Sequence, residues 1–555
     1  MNAIGRIREY MASHGGRYTL RRCGQIISER YLGSWDRKRE KTEEAELARQ
    51  RENPPECGLI SVVVPIYNTE AGMLREMIQS LQAQTFRRFE VILYDGGSTR
   101  RETAEVLAET EAAGRDEGGP MIRVIRGAQN RGISGNTNEA IREARGEYIA
   151  LCDHDDIVHP EAMWHIAGAI EQEARETGDG PDVIYTDEDR IMENGLHHMD
   201  PHFKPDYSPE YLREDNYICH MAAIRKSLLE EIGGLRSGFD GSQDHDLFLR
   251  LSERTDRFRH IPKVLYSWRE VRSSRSHTNL QTCLESSCRA VEETERKRGR
   301  DATAIPVGKV IRLWYGVNPE TSVEVLIHGD SEAACRACME ELDRCTSWRN
   351  MRAALIVTDD AARFAAINEA AHGSGAEMLL VIGAGVRGMN RHFIRELMMY
   401  AQMDGIAGVT PILTDRKGRI VHGGFAIGVD GICQCINEGL FAAAGGRRDL
   451  MNKVHNASAV SAECFMVRKD AWEDIPEGFR SGIGMAGLGL KQKEKGRRYV
   501  VTPHATAICE KGPGLLSGTA REEEEIRKFR EAWGEEISDP YYSGNYRRDK
   551  ADYRY

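Results

Sequence analysis

Short apolar stretches alternate with longer amphipathic stretches through the first half of the chain, from Leu59 onward. Apolar runs bounded by turn residues are typical of buried strands, and the stretches between them have helical spacing. Strands that alternate with helices predict an α/β fold with a parallel, doubly wound sheet. The predicted strands are Leu59–Pro65, Phe89–Tyr94, Met121–Arg126, Glu147–Cys152 and Asp182–Thr186, and the predicted helices are Glu70–Gln84, Arg101–Ala113, Ser134–Ala144 and Glu161–Glu173.

The same alternation starts again near Val323. A repeated order of elements predicts an internal duplication of the architecture, although the two halves share little sequence. The strands predicted in the second half are Val323–Ile327, Ala353–Val357 and Glu377–Ile382, and the helices between them are Glu332–Arg344 and Ala361–Ala371.

At 555 residues the chain is longer than one hydrophobic core usually supports, so several domains are expected. A charged stretch that ends at Pro54-Pro55 has the composition of a linker. The predicted division is a basic helical extension and linker at 1–57, a first α/β domain at 58–305, a second at 306–512, and a C-terminal helix and tail at 513–555.

Composition excludes several classes of protein. The net charge of −11 argues against general nucleic-acid binding. No apolar run approaches the ~20 residues that span a bilayer, and the first residues lack the apolar core of a signal peptide. The 13 cysteines, an odd number without a regular framework, fit a reducing compartment. The sequence therefore predicts a cytoplasmic protein.

Residues 1–39 contain nine Lys and Arg against three acidic residues, with apolar side chains between them. Such a basic amphipathic segment can lie on an anionic membrane, which would place the protein peripherally at the inner face. The alternative, which the pattern favours, is a helical extension packed on the first domain.

An acidic run follows one of the predicted strands directly, at Asp153-His154-Asp155-Asp156. Carboxylates this close repel one another unless a cation or hydrogen-bond donors hold them. Oxygen ligands suit Mg²⁺ or Mn²⁺, ions that also bind diphosphates. An isolated Asp-x-Asp is more often a solvated turn, but the loops Ile66–Asn68 and Asp95–Ser98 also end strands and should reach the same crevice. The run therefore predicts a nucleotide site.

A longer set of motifs resembles a known family. Over roughly 58–300 the order and spacing are similar to those of family 2 glycosyltransferases with the GT-A fold, particularly bacterial enzymes that build O-antigen, rhamnan or other surface polysaccharides. The matching stretches are Val62–Asn68, Asp95–Thr99, Asn130–Ser134, Gly146–Asp156, Tyr185–Asp189, Phe203–Asp206, Asn216–His220, Gly241–Leu247 and His260–Tyr266.

The resemblance implies a catalytic GT-A domain at 58–305 followed by a degenerate GT-A-like copy at 306–512. It implies an inverting, metal-dependent glycosyltransferase of the hexosyl or rhamnosyl type that uses Mg²⁺ or Mn²⁺. The donor would be a UDP- or dTDP-linked sugar, and the acceptor a hydroxyl of a lipid-linked or cell-surface glycan. A homo-oligomer stays open as an alternative to a monomer.

Carried over position by position, the resemblance also assigns roles to residues. Asp244 would be the general base, Asp95 would bond the base or ribose, and Asp153 would face the ribose and hold the metal with Asp155. Other predicted nucleotide-sugar contacts are Pro65, Tyr67, Asn68, Gly97, Ser98, Asn138 and His154, and predicted acceptor or diphosphate contacts are Asp187, Glu188, Asp189, Trp268 and Arg269.

Two of these assignments have simpler alternatives. Asp244 stands where it could instead cap the helix predicted at Asp246–Ser252. The run Asp187–Asp189 could simply end a strand rather than contact a substrate.

The chain departs from the family pattern at three positions. Gly96 replaces a frequent second acid and Thr137 replaces a frequent Arg, so nucleotide contacts are expected to differ. Ser267 stands at the place of a usual His, and the candidates to take over its role are Arg269, Arg272 and His277.

The second half lacks the metal-binding carboxylates and the general base that are predicted in the first half. The stretch Gly383–Gly388 fits a dinucleotide-binding fingerprint, but it follows a late strand of its domain rather than the first, where such fingerprints belong. It stands where a GT-A domain keeps metal-binding carboxylates, which favours a lost metal site. The stretch Ala486–Leu490, in the position of the general-base motif, contains no carboxylate. We therefore expect an acceptor-binding, dimerising or structural role for this half.

Two other classes of function remain as alternatives. A nucleotidyltransferase shares the α/β architecture and acidic metal site, but it would need a basic phosphate-binding loop near the first strand, and Pro65–Asn68 offers none. A non-catalytic glycan-binding or scaffold protein would tolerate loss of Asp153, Asp155 and Asp244, which are all present.

Overall fold

The computed structural model describes residues 34–39, 41–113, 119–271, 279–479, 482–509 and 520–555, which fold as two compact units. The first unit comprises the described residues of Met1–Tyr207 and Asn216–Thr294. The second comprises Ser208–Asp215 and those of Glu295–Tyr555. The predicted basic extension lies mainly in residues 1–33, outside the described residues.

The elements are numbered in chain order. The strands are β1 (Ile60–Ile66), β2 (Phe89–Asp95), β3 (Met121–Arg126), β4 (Tyr148–Leu151), β5 (Ile157–Val158), β6 (Val183–Met192), β7 (His198–His202), β8 (Ala222–Arg225), β9 (Phe258–Glu270), β10 (Ala302–Val307), β11 (Val310–Tyr315), β12 (Val323–Gly329), β13 (Met351–Val357), β14 (Met378–Gly383), β15 (Val386–Arg387), β16 (Ile406–Thr414), β17 (Ile420–His422), β18 (Phe425–Ile427), β19 (Cys433–Cys435), β20 (His455–Ala457), β21 (Cys464–Arg468) and β22 (Arg498–Cys509). The helices are α1 (Ser34–Lys38), α2 (Glu44–Glu52), α3 (Ala71–Gln82), α4 (Arg101–Ala113), α5 (Gly132–Glu143), α6 (Ala162–Thr177), α7 (Pro209–Glu214), α8 (Lys226–Glu231), α9 (Gln243–Leu251), α10 (Leu280–Lys297), α11 (Glu332–Cys345), α12 (Arg363–Gly373), α13 (Phe393–Ala401), α14 (Gly482–Glu494) and α15 (Ala520–Trp533).

The main sheet of the first unit has the order β3-β2-β1-β4-β8-β6-β9-β5, with β7 beside β6. Strands β3, β2, β1 and β4 are mutually parallel, which confirms the α/β prediction for this part. The prediction of a fully parallel sheet was wrong, because β8 runs antiparallel to both β4 and β6. Local sequence patterns do not record strand direction, so the sheet is mixed where they suggested a single sense.

The apolar runs of the first strands form the centre of this unit. All seven residues of β1 are buried, as expected for a strand covered by helices on both faces. Helix α3 turns its apolar side toward the sheet through Leu74, Met77 and Leu81, which are fully buried. Its start is capped by Glu70, whose carboxylate accepts a hydrogen bond of 3.0 Å from the Met73 backbone N–H.

The main sheet of the second unit has the order β13-β12-β14-β21-β16-β22-β15, with β17 beside β16 and β20 beside β22. Among the described residues it repeats the plan of the first unit without a counterpart of β3. Each strand pair has the same relative direction as its counterpart in the first unit, which confirms the predicted duplication. The registers also correspond: Ile60 pairs with Tyr148 on β4, and Val323 pairs with Met378 on β14. Positions in the two units can therefore be matched residue by residue along these strands.

In the described parts of the chain, no helix combines the length and apolar character that a bilayer crossing requires. The cysteines that the structure describes are free thiols, most of them buried.

Candidate active site

A cavity lies beside the carboxyl ends of β1 and β4, in the first unit. This is the edge at which α/β sheets bind ligands. The cavity brings together Asp153 and Asp244, which are far apart in the sequence, and it adds His220 between them. The lining residues are Val63, Pro65, Ile133, Thr137, Leu151, Cys152, Asp153, Cys219, His220, Leu235, Gln243 and Asp244.

Two residues of strand β9 form hydrogen bonds with the acidic loop. The Tyr266 hydroxyl donates to Asp156 Oδ2 at 2.6 Å and accepts from the Asp153 backbone N–H at 3.1 Å. The Arg269 backbone N–H donates to Asp156 Oδ1 at 2.7 Å, and the Arg269 guanidinium donates to the Asp155 carbonyl at 2.6 Å. Both oxygens of Asp156 thus accept protein donors, so this residue orients the loop.

The loop carries negative charge at an energetic cost. Burial raises the pKa of Asp155, and the charge of Asp153 raises it further. Burial also raises the pKa of Asp156 well above its usual range, with Asp155 and Asp153 as the next causes. Carboxylates in this state bind a proton or a cation more readily than solvated ones do.

His220 lies against this loop, a contact that the sequence prediction missed. Its Nε2 is 3.6 Å from Asp153 Oδ2, and Asp153, Asp156 and His220 each offer a ligand atom within 4.8 Å of the others. Burial alone would lower the pKa of His220, but the acidic groups Cys219, Asp153 and Asp244 hold it well above its ordinary value. The only sequence signal was its place in the Asn216–His220 motif.

Asp153 and Asp155 fit a divalent cation better than Asp156 does. Their side chains are 35% and 27% exposed, and their ion-pair distances to His220 and His154 are 3.6 and 3.7 Å, longer than hydrogen bonds. The carboxylate oxygens are therefore accessible to a hard cation.

Asp244 lies in the first turn of α9, partly buried in the cavity wall. The helix begins at Gln243 with Ser242 as its N-cap, so the alternative of Asp244 as the cap was wrong. Burial raises the pKa of Asp244 to about 6; the charge of Asp153 raises it, while that of His220 and a 3.2 Å hydrogen bond from Gln243 lower it. A carboxylate of this kind can take up a proton near neutral pH.

The loops after β1 and β2 bind each other. Asp95 Oδ1 accepts from the Ser98 backbone N–H at 2.8 Å, and the Ser98 hydroxyl accepts from the Asn68 backbone N–H at 2.9 Å. Gly97 has φ +79°, a conformation that favours glycine, and Tyr67 is 40% exposed beside this pair of loops. Pro65 lines the cavity itself. The structure thus places these predicted nucleotide contacts at one edge of the sheet.

Asn138 is used differently from its neighbour Thr137. Its side-chain amide donates to the Leu235 carbonyl at 2.8 Å and its Oδ1 accepts from the Leu235 backbone N–H at 2.9 Å. Thr137, by contrast, lines the cavity. The role of Asn138 as a nucleotide contact stays a prediction, and its observed bonds position the loop at Leu235.

The acidic run Asp187–Asp189 lies inside β6, which is longer than the predicted strand, and all three side chains are buried. Asp187 accepts from the Lys204 backbone N–H and from His260, each at 2.8 Å. Glu188 pairs with the ammonium of Lys204 at 3.2 Å. These partners let the strand continue through the charges, which local sequence could not show.

The last predicted contacts lie on β9. Trp268 packs under the Arg190 guanidinium at 5.1 Å and near the His220 ring at 6.2 Å. Arg269 is 2% exposed, and besides the acidic loop it binds Glu76 at 2.6 Å. Arg272 and His277, two of the candidates to replace the missing His, lie outside the described residues.

Comparison with known proteins finds a family match within the first unit. Residues 61–233 match the profile of glycosyl transferase family 2. The chain is 30% identical over 589 residues to an uncharacterized protein, y4gI, of Sinorhizobium fredii, covering 96% of this chain and 62% of the relative. It is 27% identical over 524 residues to the O-antigen biosynthesis protein RfbC of Myxococcus xanthus, covering 87% and 40%. The chain thus spans less than two thirds of the length of these curated relatives.

Solved structures with partial similarity include TarS of S. aureus, with a TM-score of 0.33 and 20% identity over 42% of this chain and 39% of that one. A second is the mannosyltransferase PcManGT from Pyrobaculum calidifontis in complex with GDP-Man and Mn²⁺, with a TM-score of 0.33 and 19% identity over 46% and 70%.

Residues 61–233, in the first unit, thus match glycosyl transferase family 2. The second unit repeats the sheet plan of the first without its acidic loop, and the chain as a whole is similar to an O-antigen biosynthesis protein.

Proposed function

We propose that this chain is an inverting, metal-dependent glycosyltransferase of the hexosyl or rhamnosyl type. It moves a sugar from a UDP- or dTDP-linked donor to a hydroxyl of a lipid-linked or cell-surface glycan. The observation that carries this proposal is the convergence of Asp153, His220 and Asp244 on one cavity at the carboxyl edge of the sheet.

Asp244 acts as the general base. It takes the proton of the acceptor hydroxyl while the hydroxyl oxygen forms a bond to the anomeric carbon of the donor. The bond between that carbon and the donor phosphate oxygen breaks, and the nucleoside diphosphate leaves with the bonding electrons. One in-line displacement inverts the anomeric configuration. The pKa of about 6 keeps Asp244 ionised at neutral pH and basic enough to accept the proton.

Asp153 and Asp155 are the residues that would hold the metal, because their carboxylates are accessible. Both carboxylate oxygens of Asp156 already accept hydrogen bonds, from the Tyr266 hydroxyl and the Arg269 backbone N–H. A bound Mg²⁺ or Mn²⁺ would neutralise the charge of the departing diphosphate. Arg269 and Tyr266 keep the loop in place for this purpose. The loops at Asn68 and Asp95 would contact the base and ribose, and the second unit would bind acceptor or serve structure.

The test is a donor panel on the full chain. UDP-, dTDP- and GDP-linked sugars are incubated with Mn²⁺, and free nucleoside diphosphate is measured with and without glycan acceptors. We expect UDP or dTDP to be released from one donor in this panel, and the released amount to fall when EDTA is added. The anomeric configuration of the product, read by NMR, should be opposite to that of the donor.

Other outcomes would replace the proposal. Pyrophosphate release from a nucleoside triphosphate and a sugar phosphate would indicate a nucleotidyltransferase. Binding of glycans without turnover of any donor would indicate a scaffold protein. A product that retains the donor's configuration would rule out direct displacement assisted by Asp244.

A further inference from the structure

A second polar cluster in the first unit is formed by residues that do not line the cavity. His159 follows β5, Asp189 is on β6, His198 begins β7 and Ser267 is on β9. Four elements thus converge on one point. His159, Asp189 and His198 each present a ligand atom within 4.8 Å of the others.

The spacing of the four donor atoms is close to that of a tetrahedral site. The Ser267 hydroxyl lies 3.0 Å from His159 Nε2, 3.3 Å from His198 Nδ1 and 2.6 Å from Asp189 Oδ1. His198 Nδ1 lies 3.2 Å from the same carboxylate oxygen, Asp189 Oδ1. Ligand bonds of 2.0–2.1 Å in a tetrahedron separate the ligand atoms by about 3.3 Å. Small outward shifts of these side chains would make room for an ion.

The donor types suit a borderline transition-metal ion rather than Mg²⁺. Zinc in proteins does bind two imidazoles and one carboxylate with an oxygen in the fourth position. The Trp35 indole N–H donates to Asp189 Oδ2 at 2.8 Å, which orients the carboxylate in the manner of an outer-shell partner.

The second unit shows that the fold does not need polar residues here. Asp189 pairs with Ser267 and Ile157 pairs with Ser267 in the first unit. The matching pairs in the second unit are Thr414 with Ile508 and Arg387 with Ile508. Ile508 therefore stands at the position of Ser267, Thr414 at that of Asp189, and Met389 at that of His159. The ligand set is specific to the first unit.

We propose that His159, Asp189 and His198, completed by Ser267, form a structural zinc site that joins β5, β6, β7 and β9. The site is separate from the Asp153–Asp155 loop and takes no part in sugar transfer. It explains why Ser267 and two histidines meet where the family resemblance implies a single His.

Metal analysis of the untagged full chain tests this directly. The protein is produced with zinc supplementation, desalted and measured by mass spectrometry for all transition metals. We expect about one zinc ion per chain, and a visible tetrahedral spectrum after replacement by Co²⁺. Both measurements use the unaltered protein, so neither depends on the folding of a variant.

Variants locate the ion. His159→Gln and His198→Gln should each lower the zinc content at least about tenfold. His197→Gln, at an exposed neighbour of His198, and Asp155→Asn, in the other acidic loop, should leave it unchanged. Absence of zinc and of a cobalt spectrum in the unaltered protein would overturn the proposal. So would zinc retained in both His159→Gln and His198→Gln, whatever the outcome of the donor panel.

Discussion

The two units of this chain share a sheet plan but differ in chemistry at the same corner. The order and relative directions of β2, β1, β4, β8, β6, β9 and β5 in the first unit recur in β13, β12, β14, β21, β16, β22 and β15 of the second. Counting from the paired residues Tyr148 and Met378, Asp153 corresponds to Gly383 and Asp155 to Gly385. The acidic loop of the first unit is therefore a glycine loop in the second.

The residues that face this loop differ as well. On the adjoining strands Ala222 and Phe465 match, which sets His220 of the first unit against Glu463 of the second. Glu463 Oε2 occupies the space that a side chain at Gly383 would need, and it pairs with Arg363 at 3.3 Å. A side-chain ion pair fills the corner that a cation would fill in the first unit.

This difference separates residues that form the sheet from residues that are proposed to act in the reaction. The second unit forms the same sheet plan without counterparts of Asp153, Asp155 and Asp244, so the sheet plan does not depend on these carboxylates. In the first unit burial raises the pKa values of Asp155, Asp156 and Asp244, so the ionised forms of these carboxyl groups carry a desolvation cost. Groups kept in such a state, together in a cavity, are characteristic of function.

The largest expected effect comes from the general base. Asp244→Asn should lower the rate of sugar transfer by about 10²- to 10⁴-fold, because the acceptor proton loses its base. The control is Glu463→Gln, which removes the carboxylate that faces the glycine loop of the second unit and should transfer at the unaltered rate. The measurement is the initial rate of transfer, with thermal melting to check the fold. Equal transfer rates for both variants would contradict the assignment of Asp244 as the general base.

Breaking the buried pair of Lys204 and Glu188 should affect stability next most strongly. Lys204→Met leaves Glu188 buried without its cation, and we expect a loss of about 3 kcal/mol in the free energy of unfolding. Lys204 holds Glu188 at a pKa below its ordinary value despite burial. The stabilisation is therefore present above the unfolded pKa and is lost as the pH falls. Denaturant titrations at pH 7 and at pH 4 should show a smaller difference at the lower pH.

The metal loop can be tested with a paired substitution. Asp155→Asn should weaken Mn²⁺-dependent binding of the donor nucleotide at least about tenfold, because one cation ligand is removed. Gly385→Asn makes the matching change in the second unit, where a side chain meets open space. It should leave binding unchanged. Calorimetry with and without EDTA measures both, and equal loss in the two variants would contradict the assignment.

A smaller effect is expected from pH. Asp244 must be ionised to act, and burial raises its pKa to about 6, so kcat/KM should fall about tenfold per unit below that pH and level off above it. The residual activity of the Asp244→Asn variant should not show this fall of kcat/KM at low pH. A profile that is flat from pH 5 to pH 7 in the unaltered protein would exclude Asp244 as the titrating base.

Much of this architecture could be predicted from local patterns. The apolar runs placed β1, β2, β3 and β4 within a few residues, and strand-end loops were expected to meet because parallel strands share an edge. What failed depended on distant partners. The direction of β8 depends on its pairing with β4 and β6. The extension of β6 through Asp187–Asp189 depends on Lys204 and His260, which local propensity cannot anticipate. The contact between His220 and Asp153 is equally non-local.

Localising a bound ion would test the central claim most directly. Crystals of the full chain soaked with Mn²⁺ and UDP can be examined by anomalous scattering at the manganese edge. The account predicts one ion between Asp153 and Asp155, next to the cavity that contains Asp244, and none at Gly383–Gly385. Manganese at the second corner, or nowhere near the first, would contradict it.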